Sequence, residues 1–399
     1  MPQLTLLNAR LNGSHDQVDL AIDAGKIAAI AKPGELPTDG PTEDLKGQIV
    51  LPGFVDGHCH ADKSLWGEPW AVRTSQVISM DQMFEDMLQQ WATPASPVAV
   101  RAERFMRECV RHGSTFIRSF ADVDPAIGLD GVHGVLEARE KLNGLAEIRV
   151  VAFPQLGILR RPGNEELLEE ALRDGADGIG GLDPAAVEGA AERQLDIVFE
   201  LARKYQVAVD FHMHEEGELG LWLIKRIAER TKALGMQGRV SICDVFSIAH
   251  LNPEDTARIS DVLADAGITV AVGVHGLLPV PDVHTMSKCG VHMCMGSDSA
   301  RSLWSPWGDG DMLARSSLLA YKCYFRRDVD LELALDLANV YGQVAMGLPE
   351  NLLRVGDPAD LVVLPGEAKA ELVVLPPPRS LVTKDGKITV RDGKVVGAD

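Results

Sequence analysis

The chain has 399 residues, 46% of them hydrophobic and 24% charged, which suits a large soluble globular fold. A formal charge of −19 argues against nucleic acid as a partner, since neutralising phosphates takes a basic surface, but it leaves a phosphate-free nucleobase open. No apolar run reaches the ~18 residues of a membrane span, and the start, Met-Pro-Gln-Leu-Thr-Leu-Leu-Asn, has no secretory pattern, which points to a cytoplasmic protein.

Short strands come first. Leu4-Thr-Leu-Leu, Val18-Asp-Leu-Ala-Ile and Lys26-Ile-Ala-Ala-Ile alternate around turns at Asn12-Gly13 and Ala24-Gly25. A long middle follows. Apolar, β-branched runs at 49–54, 114–120, 147–153, 176–180, 207–213, 239–249, 268–274 and 291–296 predict strands. Helical spacing is clearest at 79–91, 98–111, 165–174, 189–205, 218–235, 253–266 and 308–325. Such alternation predicts an α/β fold, a (β/α)8 TIM-type barrel over 49–350. An open doubly wound sheet is the rival, weakened because no Gly-x-Gly-x-x-Gly follows the first strand. At the C-terminus, Asp360-Leu-Val-Val-Leu, Glu371-Leu-Val-Val-Leu, Ser380-Leu-Val-Thr and Lys387-Ile-Thr-Val read as strands. Residues 1–48 and 351–399 are expected to build one small β-sandwich from both chain ends.

Candidate chemistry gathers at strand ends, where a parallel barrel keeps its active site. His58 and His60 end the first strand, two apart, so both imidazoles share one face of an extended backbone. Such a pair alone is weak evidence. The fifth strand, Val207-Ala-Val-Asp-Phe-His-Met-His-Glu-Glu, ends in His212, His214, Glu215 and Glu216; His250 follows the sixth, and Asp298 the eighth. Histidine and carboxylate suit a divalent metal with a place left for water. The six cysteines form no Cys-x-x-Cys pair and read as reduced thiols, Cys59 as a packed one.

Leu51-Pro-Gly-Phe-Val-Asp-Gly-His-Cys-His-Ala-Asp-Lys, Val151-Ala-Phe-Pro-Gln-Leu-Gly-Ile-Leu, His212-x-x-Glu215, Ala249-His250, Gly296-Ser-Asp298 and Trp304-Ser-Pro-Trp-Gly together resemble the amidohydrolase superfamily, within it the bacterial-type cytosine deaminases. The resemblance implies a barrel with a terminal sandwich and a homo-oligomer. It implies His58, His60, His212 and Asp298 as metal ligands, Glu215 as acid/base, His250 as electrostatic partner, and Gln155 as reader of a pyrimidine's N1 and O2 edge. No lysine stands near the end of the fourth strand, so one divalent transition metal is expected, Fe2+ or Zn2+. Lys63 is read as structural, and His214 as a residue that supports the ligands from behind or is packed, rather than a second ligand. The implied reaction is hydrolytic deamination at C4 of cytosine or 5-methylcytosine. Ser299 stands where the cytosine deaminases commonly carry an aspartate, which leaves room for a C5 methyl; Trp304, with Met293, Met295 and Trp307, is a candidate apolar wall. Rivals are hydrolysis of isocytosine, isoguanine or an aminotriazine, and a non-catalytic ligand-binding barrel.

Overall fold

The computed structural model describes residues 2–70, 72, 79–276, 278–302 and 304–397. Eight parallel strands form a nearly closed barrel: Phe54–Cys59, Ser114–Asp122, Glu147–Phe153, Gly178–Leu182, Ala208–His212, Val240–Cys243, Ile268–Val272 and Met293–Met295. Each pairs in parallel with the next. Most are buried along their whole length, which explains why they read as apolar runs with little alternation. A parallel bridge between Cys59 and Asp298 brings the last strand back to the first.

Helices cover the barrel by ordinary amphipathic logic. In Ala191–Tyr205, Leu195, Val198, Phe199 and Ala202 face inward at helical spacing, Arg203 and Lys204 sit in the last turn, and Gln206 ends the helix in the left-handed region. Pro253–Asp265 starts with Asn252 accepting from the Asp255 amide at 3.0 Å and with Pro253 in the first turn. Among the described residues, no helix is long and apolar enough to cross a membrane.

Both chain ends build a separate nine-stranded sheet. Its seam is Ile49–Pro52, parallel to the end of Leu4–Leu11 on one side and antiparallel to Leu361–Leu364 on the other. Leu6, Leu20, Ile22, Val50, Leu361 and Val363 give this sheet its own apolar cluster.

Three expectations shift. The run 49–54 is divided: Ile49–Pro52 joins the terminal sheet, and the barrel starts at Phe54. The segment around 371–375 is a helix, Lys369–Val374; periodicity does not separate a short buried helix from a strand. The run 239–249 contains a strand only to Cys243, then a turn at Asp244 (φ +54°) and a short helix, Phe246–Ala249. A helix not singled out, Asp130–Lys141, carries two glycines that weaken its pattern; a Cβ on Gly134 would come within 2.6 Å of Val98.

Inside the barrel, buried Arg118 on the second strand donates to Gly57 O and Ser241 Oγ, both at 2.7 Å, and lies 2.9 Å from Asp210 Oδ2. This polar layer ties the first, second, fifth and sixth strands beneath the residues described below. Closure of the barrel depends on Gly296, because a Cβ there would lie 2.4 Å from His58 O. Gly296→Ala should therefore cost about 1–3 kcal/mol by overpacking and lower metal affinity, read by urea unfolding and by metal titration. Unchanged values for both would show that this approach is not limiting.

Candidate metal centre

The first and eighth strands are joined by the residues that could ligate. His58 lies within the first strand and His60 just past it. Asp298 adopts φ +60°, in the left-handed region; its N–H donates to His58 O and its carbonyl accepts from His60 N–H, both at 2.8 Å. The buried Asp56 carboxylate accepts from Ser297 N at 3.0 Å, Ser297 Oγ at 2.5 Å and His58 N at 3.3 Å. Burial raises that carboxyl, and the bonds from Ser297 and His58 oppose the rise.

His212, the last residue of the fifth strand, meets this pair from across the barrel. Its Nε2 lies 3.3 Å from His60 Nε2, while His58 and His60 Nε2 lie 3.7 and 3.9 Å from Asp298 Oδ1. Four donors around an ion with bonds of about 2.1 Å stand roughly 3.4 Å apart in a tetrahedron; His58, His60 and Asp298 offer donor atoms within 4.8 Å of one another, and His212 meets them through His60. Both nitrogens of His58 and Nδ1 of His212 are buried without a hydrogen-bond partner. Burial first, then neighbouring positive groups, holds His60 and His212 well below the usual histidine range, hence neutral as ligands must be. Burial opposes the Asp298 charge, but His58 and His275 hold its carboxyl below the ordinary range. The donor chemistry and spacing fit one divalent transition metal. A second grouping, His58, His212, Cys243 and Asp244, fits less well, because burial pushes the Cys243 thiol well up.

Glu215 precedes the helix Gly217–Ala233. Its Oε1 accepts from Ala185 N at 2.9 Å and Ala186 N at 3.0 Å, and its Oε2 is buried without a hydrogen-bond partner. Burial, followed by the charge of Asp183, pushes this carboxyl up to about 7. Of the two readings of His214, the contacts show support from behind the ligands rather than simple packing. Its Nδ1 lies 2.8 Å from Asp183 Oδ2 and its Nε2 3.7 Å from Asp244 Oδ2. Burial opposes its charge, but the two carboxylates raise it to about 10. Asp244 Oδ1 lies 2.7 Å from His275 Nε2, and His275 Nδ1 lies 3.7 Å from Asp298 Oδ2. Carboxylates and imidazoles thus alternate along Asp183, His214, Asp244, His275 and Asp298, linking the ends of strands four to eight.

His250 is the expectation this geometry does not meet. It is exposed at the end of the helix Phe246–Ala249 and belongs to neither ligand group. The sixth strand ends earlier, so Asp244 is the residue it delivers, and the imidazole beside Asp298 is His275, past the seventh strand. The available signal was positional: Asp244 is the first polar residue after Val240-Ser-Ile-Cys.

Gln155 is buried just past the third strand. Lys63 Nζ lies 3.1 Å from both Gln155 Oε1 and His60 Nδ1, and it pairs with Asp122. The indole of Trp304 stands 4.3 Å from that ammonium and 5.2 Å from the His60 ring. Ser299, buried, joins Asp298 and His275 at one end of a cavity of about 620 Å³, with Trp307, Leu318 and Tyr321 also lining it. Met293 and Met295 belong to the apolar core, whereas Trp307 is 78% exposed.

Glu215 has a consequence for stability. Its folded pKa, about 7, exceeds the ordinary value near 4.5. Between these values the folded state binds the proton more tightly, so stability falls as pH rises through that window. Glu215→Gln keeps the acceptor for Ala185 and Ala186 and removes the charge. It should raise stability by on the order of 2–3 kcal/mol at about pH 8 and by little at about pH 5, read by urea unfolding. An equal gain at both pH values would contradict this.

The profile of the amidohydrolase family matches residues 73–397. The chain is 31% identical over 400 aligned residues, covering 98% of each protein, to N-isopropylammelide isopropyl amidohydrolase of Pseudomonas sp. (strain ADP). The crystal structure of N-isopropylammelide isopropylaminohydrolase from Burkholderia multivorans ATCC 17616 superposes with a TM-score of 0.94 at 36% identity, covering 99% of this chain and all (100%) of that one. The 5-methylcytosine deaminase from Klebsiella pneumoniae shares the fold, with a TM-score of 0.83 at 24% identity, covering 97% of this chain and 98% of that one. The chain belongs to the amidohydrolase family, hydrolases of carbon–nitrogen bonds that work with a divalent metal.

Proposed function

We propose that the protein hydrolyses the exocyclic C–N bond of an aminated oxo-azine, foremost an amino- or alkylamino-oxotriazine, releasing ammonia or an alkylamine. The observation that carries this reading is a protonatable buried carboxyl, Glu215, three residues from His212, whose imidazole meets the group His58, His60 and Asp298 through His60. The likeness to the N-isopropylammelide hydrolases over the whole chain favours a triazine ring.

His58, His60, His212 and Asp298 would hold the metal, which when bound supplies a nucleophilic water near neutral pH. Asp298 accepts a proton from the attacking water. Glu215, poised near neutrality, delivers a proton to the ring nitrogen beside the reacting carbon. The C–O bond forms, the exocyclic C–N bond breaks, and the amine leaves with a proton. The polar partner at the reacting face is His275, held by Asp244, in the place expected of His250. Gln155 binds the far edge of the ring, and Trp304 stands beside the His60 imidazole.

A second reading, cytosine or 5-methylcytosine to uracil or thymine, is favoured by Ser299. This side chain next to Asp298 is small and uncharged, and so leaves the C5 side uncrowded. The substrate is a free small molecule in either case. We also expect a cytoplasmic homo-oligomer.

Amine release should be measured across ammelide, N-isopropylammelide, cytosine, 5-methylcytosine, isocytosine and isoguanine on metal-loaded protein. Turnover of the triazines above the pyrimidines is expected; the reverse order would favour the second reading, and no turnover of any ring would overturn both. Glu215→Gln should lose about 10²–10⁴ in rate with metal retained; near-normal turnover would remove Glu215 from its role. Ser299→Asp should suppress 5-methylcytosine more than cytosine, because a clash with one methyl outweighs the ~0.8 kcal/mol gained by burying it. An equal effect on both would end the C5 argument.

A further inference from the structure

Lys63 is fully buried, yet it is absorbed by none of the chemical roles above. It cannot swing away. Its ammonium is paired with Asp122, lies 4.0 Å from Asp62, and is covered by the Trp304 ring at 4.3 Å and the Phe153 ring at 5.7 Å. An ammonium has three donors and no acceptor. The end of the Gln155 amide facing it at 3.1 Å must therefore be the oxygen, so chemistry fixes which way the amide is turned. Nε2 makes no hydrogen bond to the described residues and is the end left for a ligand. The same ammonium lies 3.1 Å from His60 Nδ1, which puts the amide one side chain away from the ligand cluster.

We infer that Lys63 is a positioning residue that locks Gln155 with its amide nitrogen toward the substrate, so that the site selects a ring edge made of acceptors. Such an edge is a carbonyl oxygen beside an unprotonated ring nitrogen, as in an oxo-triazine anion. Uracil, and cytosine on its N1–O2 edge, instead present an N–H beside the carbonyl, and that N–H has to share Gln155 Oε1 with the Lys63 ammonium. The inference rests on the aminated-azine reading above and narrows it. A buried group built to hydrogen-bond one pattern discriminates strongly against another, because the mismatch leaves polar atoms unpaired.

The test uses ring binding, which needs no turnover. Cyanurate and uracil are titrated calorimetrically into metal-loaded protein. Lys63→Met alone would strand a buried carboxylate, so it is combined with Asp122→Asn; cation and anion leave together, and the local net charge is unchanged. Metal content and the unfolding midpoint check that the double variant is folded. The wild type should bind cyanurate at least about tenfold more tightly than uracil, and the double variant, its amide free to turn, should narrow that ratio by about tenfold. An unchanged ratio in the folded variant, a wild-type preference for uracil, or no binding of either ring overturns the inference. Amine release from the panel above with equal binding of the two rings would overturn this inference alone and leave the reaction class standing.

Discussion

The structure depends on the seam where the eighth strand meets the first. That ladder is too short to close the barrel by regular pairing. It is closed instead by the backbone of Asp298 between His58 and His60, and by the Asp56 carboxylate holding Ser297. Folding the barrel and assembling three of the four candidate ligands are thus one event. Gly296 permits the approach, since any side chain there would strike the His58 carbonyl. A buried carboxylate such as Asp56 is costly unless its acceptors are filled, and three donors from the seam fill them.

Around this seam the barrel mouth manages a dense set of charges by alternation. Asp183, His214, Asp244, His275 and Asp298 form a row in which each imidazole lies between two carboxylates. Each carboxylate would be expensive alone in a low-dielectric site, whereas a fully partnered row is self-supporting. The row also fixes the relative positions of five strand ends without any regular structure between them. Glu215 stands just off the row. Its second oxygen is left unpartnered and its proton is retained toward neutrality, the condition a general acid needs.

Most of the frame was legible in the sequence because buried parallel strands and amphipathic helices leave strong periodic signals. The barrel and the terminal sheet follow from strand runs, and the histidines and carboxylates at strand ends stand out beside them; the choice of His58, His60, His212 and Asp298 among those residues follows from the family resemblance. What was not legible depended on where a strand stops. Val240-Ser-Ile-Cys-Asp-Val-Phe-Ser-Ile-Ala is apolar almost throughout, and nothing in its periodicity marks the turn at Asp244, so His250 was placed at a strand end it does not occupy. The His275–Asp244 pair leaves no sequence signal for a related reason: it joins residues from different strands, and spacing within one strand carries no information about it. Lys63 posed the opposite problem. A lysine after a strand is ordinarily a surface residue, and only its surroundings show that it is a buried cation.

The division between strand and loop also separates two kinds of work. The candidate ligands stand on or beside strands locked into the barrel, where a small displacement would be resisted by the whole sheet. Gln155, Ser299 and Trp304, the residues placed to meet the ring, lie on the connections past the third and eighth strands. Loops ordinarily lack the rigidity that discrimination requires. Here Lys63 supplies it from behind: one ammonium, rooted in the turn after the first strand, grips Asp122 and Gln155 at once and lies beside the His60 ring. A loop amide thereby acquires an orientation as fixed as that of a strand residue, and the hydrogen-bonding pattern of the ring edge becomes something this scaffold can read.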